Sequence, residues 1–98
     1  MHFMLERRIE RPPGYAERGC LLVSYRLPLL NHCHILCHEG TQADVPHAAS
    51  LLAFTIAQAG ELALREAGDR EAFMLIQSGH TVRKRGNWHA HIFIIRRR

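Results

Sequence analysis

The chain has 98 residues, of which 47% are apolar and 22% charged. That length holds a single domain, residues 1–98, and that composition excludes a disordered polar chain. The net charge of +4 is uneven: six of the thirteen basic residues fall within 83–98, where there is no acid, and the rest of the chain carries seven basic against nine acidic residues. A positive field gathered at one end points to an anionic partner. Three cysteines, an odd number, argue against a disulfide framework and for a reducing, cytoplasmic setting. Phe3-Met4-Leu5 is too short for a secretory apolar segment. The charge-free run 45–60 contains Pro46, His47 and Gln58, too short and too polar to span a bilayer, so no membrane partner is expected.

In chain order, residues 4–10 predict an edge strand, ended by Pro12-Pro13-Gly14. Residues 19–27 predict a second strand stopped at Pro28, after which Leu29-Leu30-Asn31 turns the chain into a third strand over 32–38. Asp44 before Val45-Pro46 reads as an N-cap and first turn. The run to Ala67 then places Leu52, Ile56, Ala59, Ala63 and Ala67 on one helical stripe, with Gly68 as the stop. Residues 71–77 predict a strand whose middle, Phe73-Met74-Leu75-Ile76, is apolar on both faces, which implies a central place in the sheet. A polar, basic loop over 78–87 leads to the last strand, 88–96. The fold class is therefore α+β: a mostly antiparallel sheet of about five strands with one long helix.

The last strand carries the chemistry. In Trp88-His89-Ala90-His91-Ile92-Phe93-Ile94-Ile95, alternation sends Ala90, Ile92 and Ile94 to the core face and His89, His91 and Phe93 to the other. Two imidazoles then stand side by side, after a loop holding Arg83, Lys84 and Arg85. Paired imidazoles beside cations suit attack at phosphorus: one ring attacks, the other protonates the leaving group, and the cations stabilise the equatorial oxygens.

These residues resemble a known family. His89-Ala90-His91-Ile92-Phe93-Ile94-Ile95 is similar to the histidine triad (HIT) motif, His-φ-His-φ-His-φ-φ, where φ is apolar. Upstream, Leu27-Pro28-Leu29-Leu30-Asn31-His32-Cys33-His34-Ile35-Leu36-Cys37 resembles the HIT segment in which a proline turn leads to a histidine and an apolar strand. Phe73-Met74-Leu75-Ile76-Gln77-Ser78-Gly79 resembles the strand ending in Asn-x-Gly. The likeness runs in order over about residues 19–97. It implies a HIT-like fold, a homodimer, and a hydrolase or transferase acting at the α-phosphate of a purine nucleotide derivative through a nucleotidyl-histidine, without a metal or other cofactor. Position by position it implies His91 as nucleophile, His89 as helper of the leaving group, and His34 near the phosphate. Gln77 or Ser78 would take the place of the ribose- or phosphate-contacting Asn.

The departures are specific. Phe93 stands where the third histidine belongs, Lys84-Arg85-Gly86-Asn87 replaces the Gly-Gln-Ser/Thr-type segment, and Ile95-Arg96 replaces Pro-Arg. Arg83 and Arg85 are the candidate electrostatic substitutes at the phosphate. Three alternatives stay open. The site can be a binding module for nucleotide or nucleic acid whose turnover has gone. The basic loop and Arg96-Arg97-Arg98 can be plain solvated charge that attracts nucleic acid nonspecifically. His32-Cys33-His34-x-x-Cys37-His38 can hold structural zinc if helical, but on a strand each i,i+4 pair spans about 13 Å, with Cys and His on opposite faces. Trp88 is read as packing, with base stacking as the alternative. His2, His47 and His80 have no assigned role.

Overall fold

The computed structural model describes residues 5–40, 45–78 and 87–96. Along the chain come β1 (Leu5–Glu10), a 3-10 turn (Ala16–Arg18), β2 (Cys20–Leu27), β3 (Leu30–His38), α1 (Val45–Ala67), β4 (Phe73–Gln77) and β5 (His89–Ile94). The strands form one sheet in the order β1-β2-β3-β5-β4, every neighbouring pair antiparallel. This is the expected α+β class, with five strands and one helix.

Local chemistry sets the punctuation. Gly19, at φ +65°, leaves the 3-10 turn in the left-handed region that a side chain would resist. Gly68, at φ +73°, ends α1 and donates its N–H to the Leu64 carbonyl at 2.9 Å. Asp44, the expected N-cap, lies outside the described residues. Leu30 and Asn31, expected in a turn, already belong to β3, because Leu30 pairs with Leu27 and leaves Pro28 and Leu29 alone at the hairpin tip.

The helix covers one sheet face. Leu51, Ala59, Leu62 and Ala63 of α1 close over Leu22, Leu36, Ala90, Ile92 and Ile94, all buried. Trp88 joins this core at 1% exposure, so its ring packs and has no face to offer a base. The buried helix stripe is turned from the expected one. Thr55 is fully buried, its hydroxyl donating to the Leu51 carbonyl at 2.7 Å, while Ile56 is 49% exposed. A self-satisfied threonine is as buriable as an aliphatic side chain, and apolar spacing alone does not see this.

β4 is at the sheet edge, not in its centre. Met74 and Ile76 are about half exposed, so its apolar character on both faces does not record burial on both. The second face carries its own smaller cluster, in which Val23, Tyr25 and Cys33 are buried and Leu21, Ile35, Cys37 and Phe93 pack against them.

Candidate functional site

Register fixes what stands beside what. On β5, His91 lies between Ile35 of β3 and Ile76 of β4, and His89 lies across from Cys37. Cross-strand partners share a face. His89, His91 and Phe93 therefore project away from α1, as the alternation predicts. The His89 and His91 rings meet edge to face, with centroids 5.3 Å apart, and Phe93 lies nearly parallel to His91 at 6.2 Å. Both rings are half-buried. Burial, helped by the neighbouring His89, holds the His91 imidazole below its ordinary pKa. A neutral ring with a lone pair is the form that attacks an electrophile. His89 Nδ1 sits 3.2 Å from the Asn87 carbonyl. Since a carbonyl only accepts, this contact puts the hydrogen on Nδ1 and leaves Nε2 to face outward.

Asn87 is a residue that the sequence reading missed. Its side-chain amide donates to the carbonyls of His38, Glu39 and Gly40 at 3.1, 3.0 and 2.6 Å, tying the entry of β5 to the end of β3. That fixes the chain two residues before His89. An isolated Asn after Gly86 reads as turn chemistry, so nothing in the sequence separates this clamp from an ordinary loop.

His34 is not brought to this pair. It lies across from Ile92, on the α1 side of the sheet, with 2% of its surface exposed. The expectation that it shares a phosphate with His89 and His91 fails because β3 places odd-numbered residues, not His34, on the face of the two rings. His34 instead bridges two polar groups. Its Nδ1 is 2.7 Å from Ser24 Oγ, and its Nε2 is 2.8 Å from Glu66 Oε1 near the end of α1. Burial pushes the Glu66 carboxyl up, but contacts from His34 and Arg65, with His32 nearby, outweigh this and hold it below its ordinary pKa. Arg65 Nη2 is 2.9 Å from Glu66 Oε2, and Arg96 donates to the Glu66 carbonyl at 2.7 Å. Arg96 is thus a docked side chain and not part of a frayed tail.

Gln77 pairs with Ala90, so its position belongs to the α1 side; its amide donates to the Ser78 carbonyl at 2.5 Å. Ser78 follows at the strand end. Gln77 is therefore on the face away from the two rings, and Ser78 is in no strand pair that would place it beside them. Arg83 and Arg85 lie outside the described residues, as do Lys84, Arg97 and Arg98.

The zinc pattern is split by strand geometry: Cys33 and Cys37 face one way, His34 and His38 the other. Among the described residues, no group of three or more His, Cys, Asp and Glu is placed to hold a metal ion. Burial raises the Cys20 and Cys33 thiols above their ordinary range, which makes them inert apolar fillers. No helix among the described residues is long and apolar enough to cross a membrane. No protein-family model matches the chain, and neither does any curated protein or solved structure. Its functional reading therefore rests on its own side chains.

Proposed function

We propose that the chain is a HIT-like nucleotide-handling protein of the cytoplasm, acting on a purine nucleotide derivative at the face that carries His89 and His91. His91 attacks the α-phosphorus, and the bond to the leaving group breaks. His89, entering the step with a proton on Nε2 as well, delivers that proton to the leaving group; water then hydrolyses the nucleotidyl-histidine and returns a proton to His89. The observation that carries this reading is the contact of the two rings on the sheet face away from α1, where burial favours the neutral form of His91. Arg83 and Arg85 are the proposed partners of the phosphate. His34 drops out of the mechanism.

Phe93 favours a second reading. A phenyl ring parallel to His91 supplies no hydrogen bond to phosphate. The site then binds the nucleotide and turns it over slowly or not at all. The protein incubated with adenosine 5′-phosphoramidate, quenched at neutral pH and mass-mapped, decides between them. Turnover with an adduct on His91, and a loss on the order of 10⁴-fold in His91→Ala, supports the enzyme. Saturable AMP or GMP binding without turnover selects the binding module. Neither binding nor turnover removes both.

The same reading makes the protein a homodimer. The sheet ends at β4, whose outer edge pairs with no strand among the described residues, and Met74 and Ile76 beside it are about half exposed. A second copy adding its own β4 would satisfy that edge and cover this apolar surface.

A further inference from the structure

The strongest chemistry outside the histidine pair lies on the opposite face, where Ser24, His34 and Glu66 are hydrogen-bonded in series. The sheet brings Ser24 of β2 directly across from His34 of β3, and α1 delivers Glu66 from 32 residues further on. The order of donors is fixed by chemistry. The Glu66 carboxylate only accepts, so His34 carries a hydrogen on Nε2, and in the neutral ring Nδ1 accepts from the Ser24 hydroxyl at 2.7 Å. These are the groups that activate a serine, a base on the hydroxyl and a carboxylate that orients the base, with the two ring nitrogens exchanged relative to the serine-protease triad.

Ser24 and His34 are 6% and 2% exposed, and what surface they keep opens outward with Glu66. They line a cleft of about 530 Å³, beyond the part of the sheet that α1 covers. That is room for a small organic molecule. Beside Ser24 the β1–β2 ladder is irregular between Leu5 and Arg8, and Glu6, which also lines the cleft, is held at φ +55°, a conformation that costs a non-glycine residue energy. The rim charges cancel in pairs: Arg26 with Glu6 at 2.8 Å, Arg8 with Glu10 at 3.8 Å, Arg65 with Glu66 at 2.9 Å. A neutralised rim offers little to a polyanion and suits an uncharged substrate.

We propose that Ser24 and His34 form a second catalytic site, independent of the histidine pair, that hydrolyses small uncharged carboxylic esters, with Glu66 as the positioning residue. Ser24 Oγ bonds to the ester carbonyl carbon while its proton passes to His34 Nδ1. The bond to the alcohol oxygen breaks, and His34 returns the proton to the departing alcohol. Water, deprotonated by His34, then attacks the acyl-serine and releases the acid and free Ser24. Ester and water become acid and alcohol, with no further reactant.

The direct test needs no variant. The wild-type protein is treated with an alkyl fluorophosphonate, and its peptides are mass-mapped. One phosphonyl adduct, on Ser24, is expected. An unlabelled Ser24, or equal labelling of Ser24 and the exposed Ser50, overturns the proposal. Hydrolysis of p-nitrophenyl acetate should fall on the order of 10²-fold or more in Ser24→Ala and persist in Ser50→Ala. Glu66→Gln should slow labelling of Ser24, and Glu66→Asp, which keeps the carboxylate, should restore part of the rate. An equal loss in both variants assigns Glu66 a purely structural role. None of these readouts touches His91, so they succeed or fail apart from the nucleotide reading.

Discussion

His38 shows how tightly a single residue can be boxed. Its Nδ1 is buried and has no hydrogen-bond partner among the described residues, and its ring meets His47 edge to face at 4.7 Å. A Cβ added at Gly40 would lie 2.6 Å from His38 Cε1, and one at Gly19 would lie 3.4 Å from Nε2. Either added methyl would press on the ring. Gly40→Ala should therefore lower stability by about 1–3 kcal/mol in urea unfolding, whereas Ser50→Ala on the exposed helix surface should stay within about 0.5 kcal/mol. Burial, and then the neighbouring His47, hold His38 below its ordinary value of 6.5, as burial and His89 do for His91. The folded state takes up these protons less readily than the unfolded chain. Stability present above pH 6.5 is thus lost as pH falls through the lower folded values. Glu66, lowered from 4.5, adds a further loss below that pH. The urea midpoint should be flat near neutrality and drop in two stages on acidification. A midpoint that rises between about pH 7 and 5 contradicts this assignment of signs. The sequence placed His89 and His91 correctly because period-two alternation on β5 needs only that strand. The family resemblance put His34 beside them, and β3's own pattern could not correct this, because β3 is apolar on both faces: Leu36 lies on the α1 side and Ile35 on the other. What settles His34 on the α1 side is Glu66, a partner no local pattern announces.

At the scale of elements, the strands and the helix were legible because each is bounded by its own punctuation, Pro28, Gly68 and the polar loop before Trp88 among them. Their order in the sheet was not. An apolar strand flanked by turns reads the same at the centre of a sheet and at an edge that another surface will cover. The stripe of α1 makes the same point more finely. Ala59 has no exposed surface, so Ala59→Leu forces extra volume between α1 and β5 and should cost about 1–3 kcal/mol. Ile56 is half exposed, so Ile56→Gln should move the thermal midpoint little, on the order of 0.5 kcal/mol in stability. Equal losses from both substitutions would restore the stripe expected from apolar spacing alone.

For the whole molecule, the decisive quantity is the surface that a short chain leaves uncovered. A chain of 98 residues has a thin core, and here it is spread over two faces of one sheet, only one of them under α1. On the other face Ile9, Met74 and Ile76 are each about half exposed, with His89, His91 and Phe93 half-buried between them. Exposed apolar side chains beside an unpaired strand edge favour association with like surface. Two copies meeting along β4 would continue the sheet and leave both Ser24 residues, three strands away from that edge, with their clefts facing solvent. Sedimentation equilibrium of the wild-type chain at micromolar concentration should therefore give a dimer. Replacing Met74 and Ile76 together by Lys should give a monomer with an unchanged far-ultraviolet spectrum, because charge on an exposed edge opposes pairing without touching the core under α1. Nucleotide chemistry at His91 should weaken in that monomer, since Ile76 is the direct neighbour of His91 across the β4–β5 pair. Labelling of Ser24 should survive it. A wild-type chain that sediments as a monomer at these concentrations would remove β4 as a dimer seam.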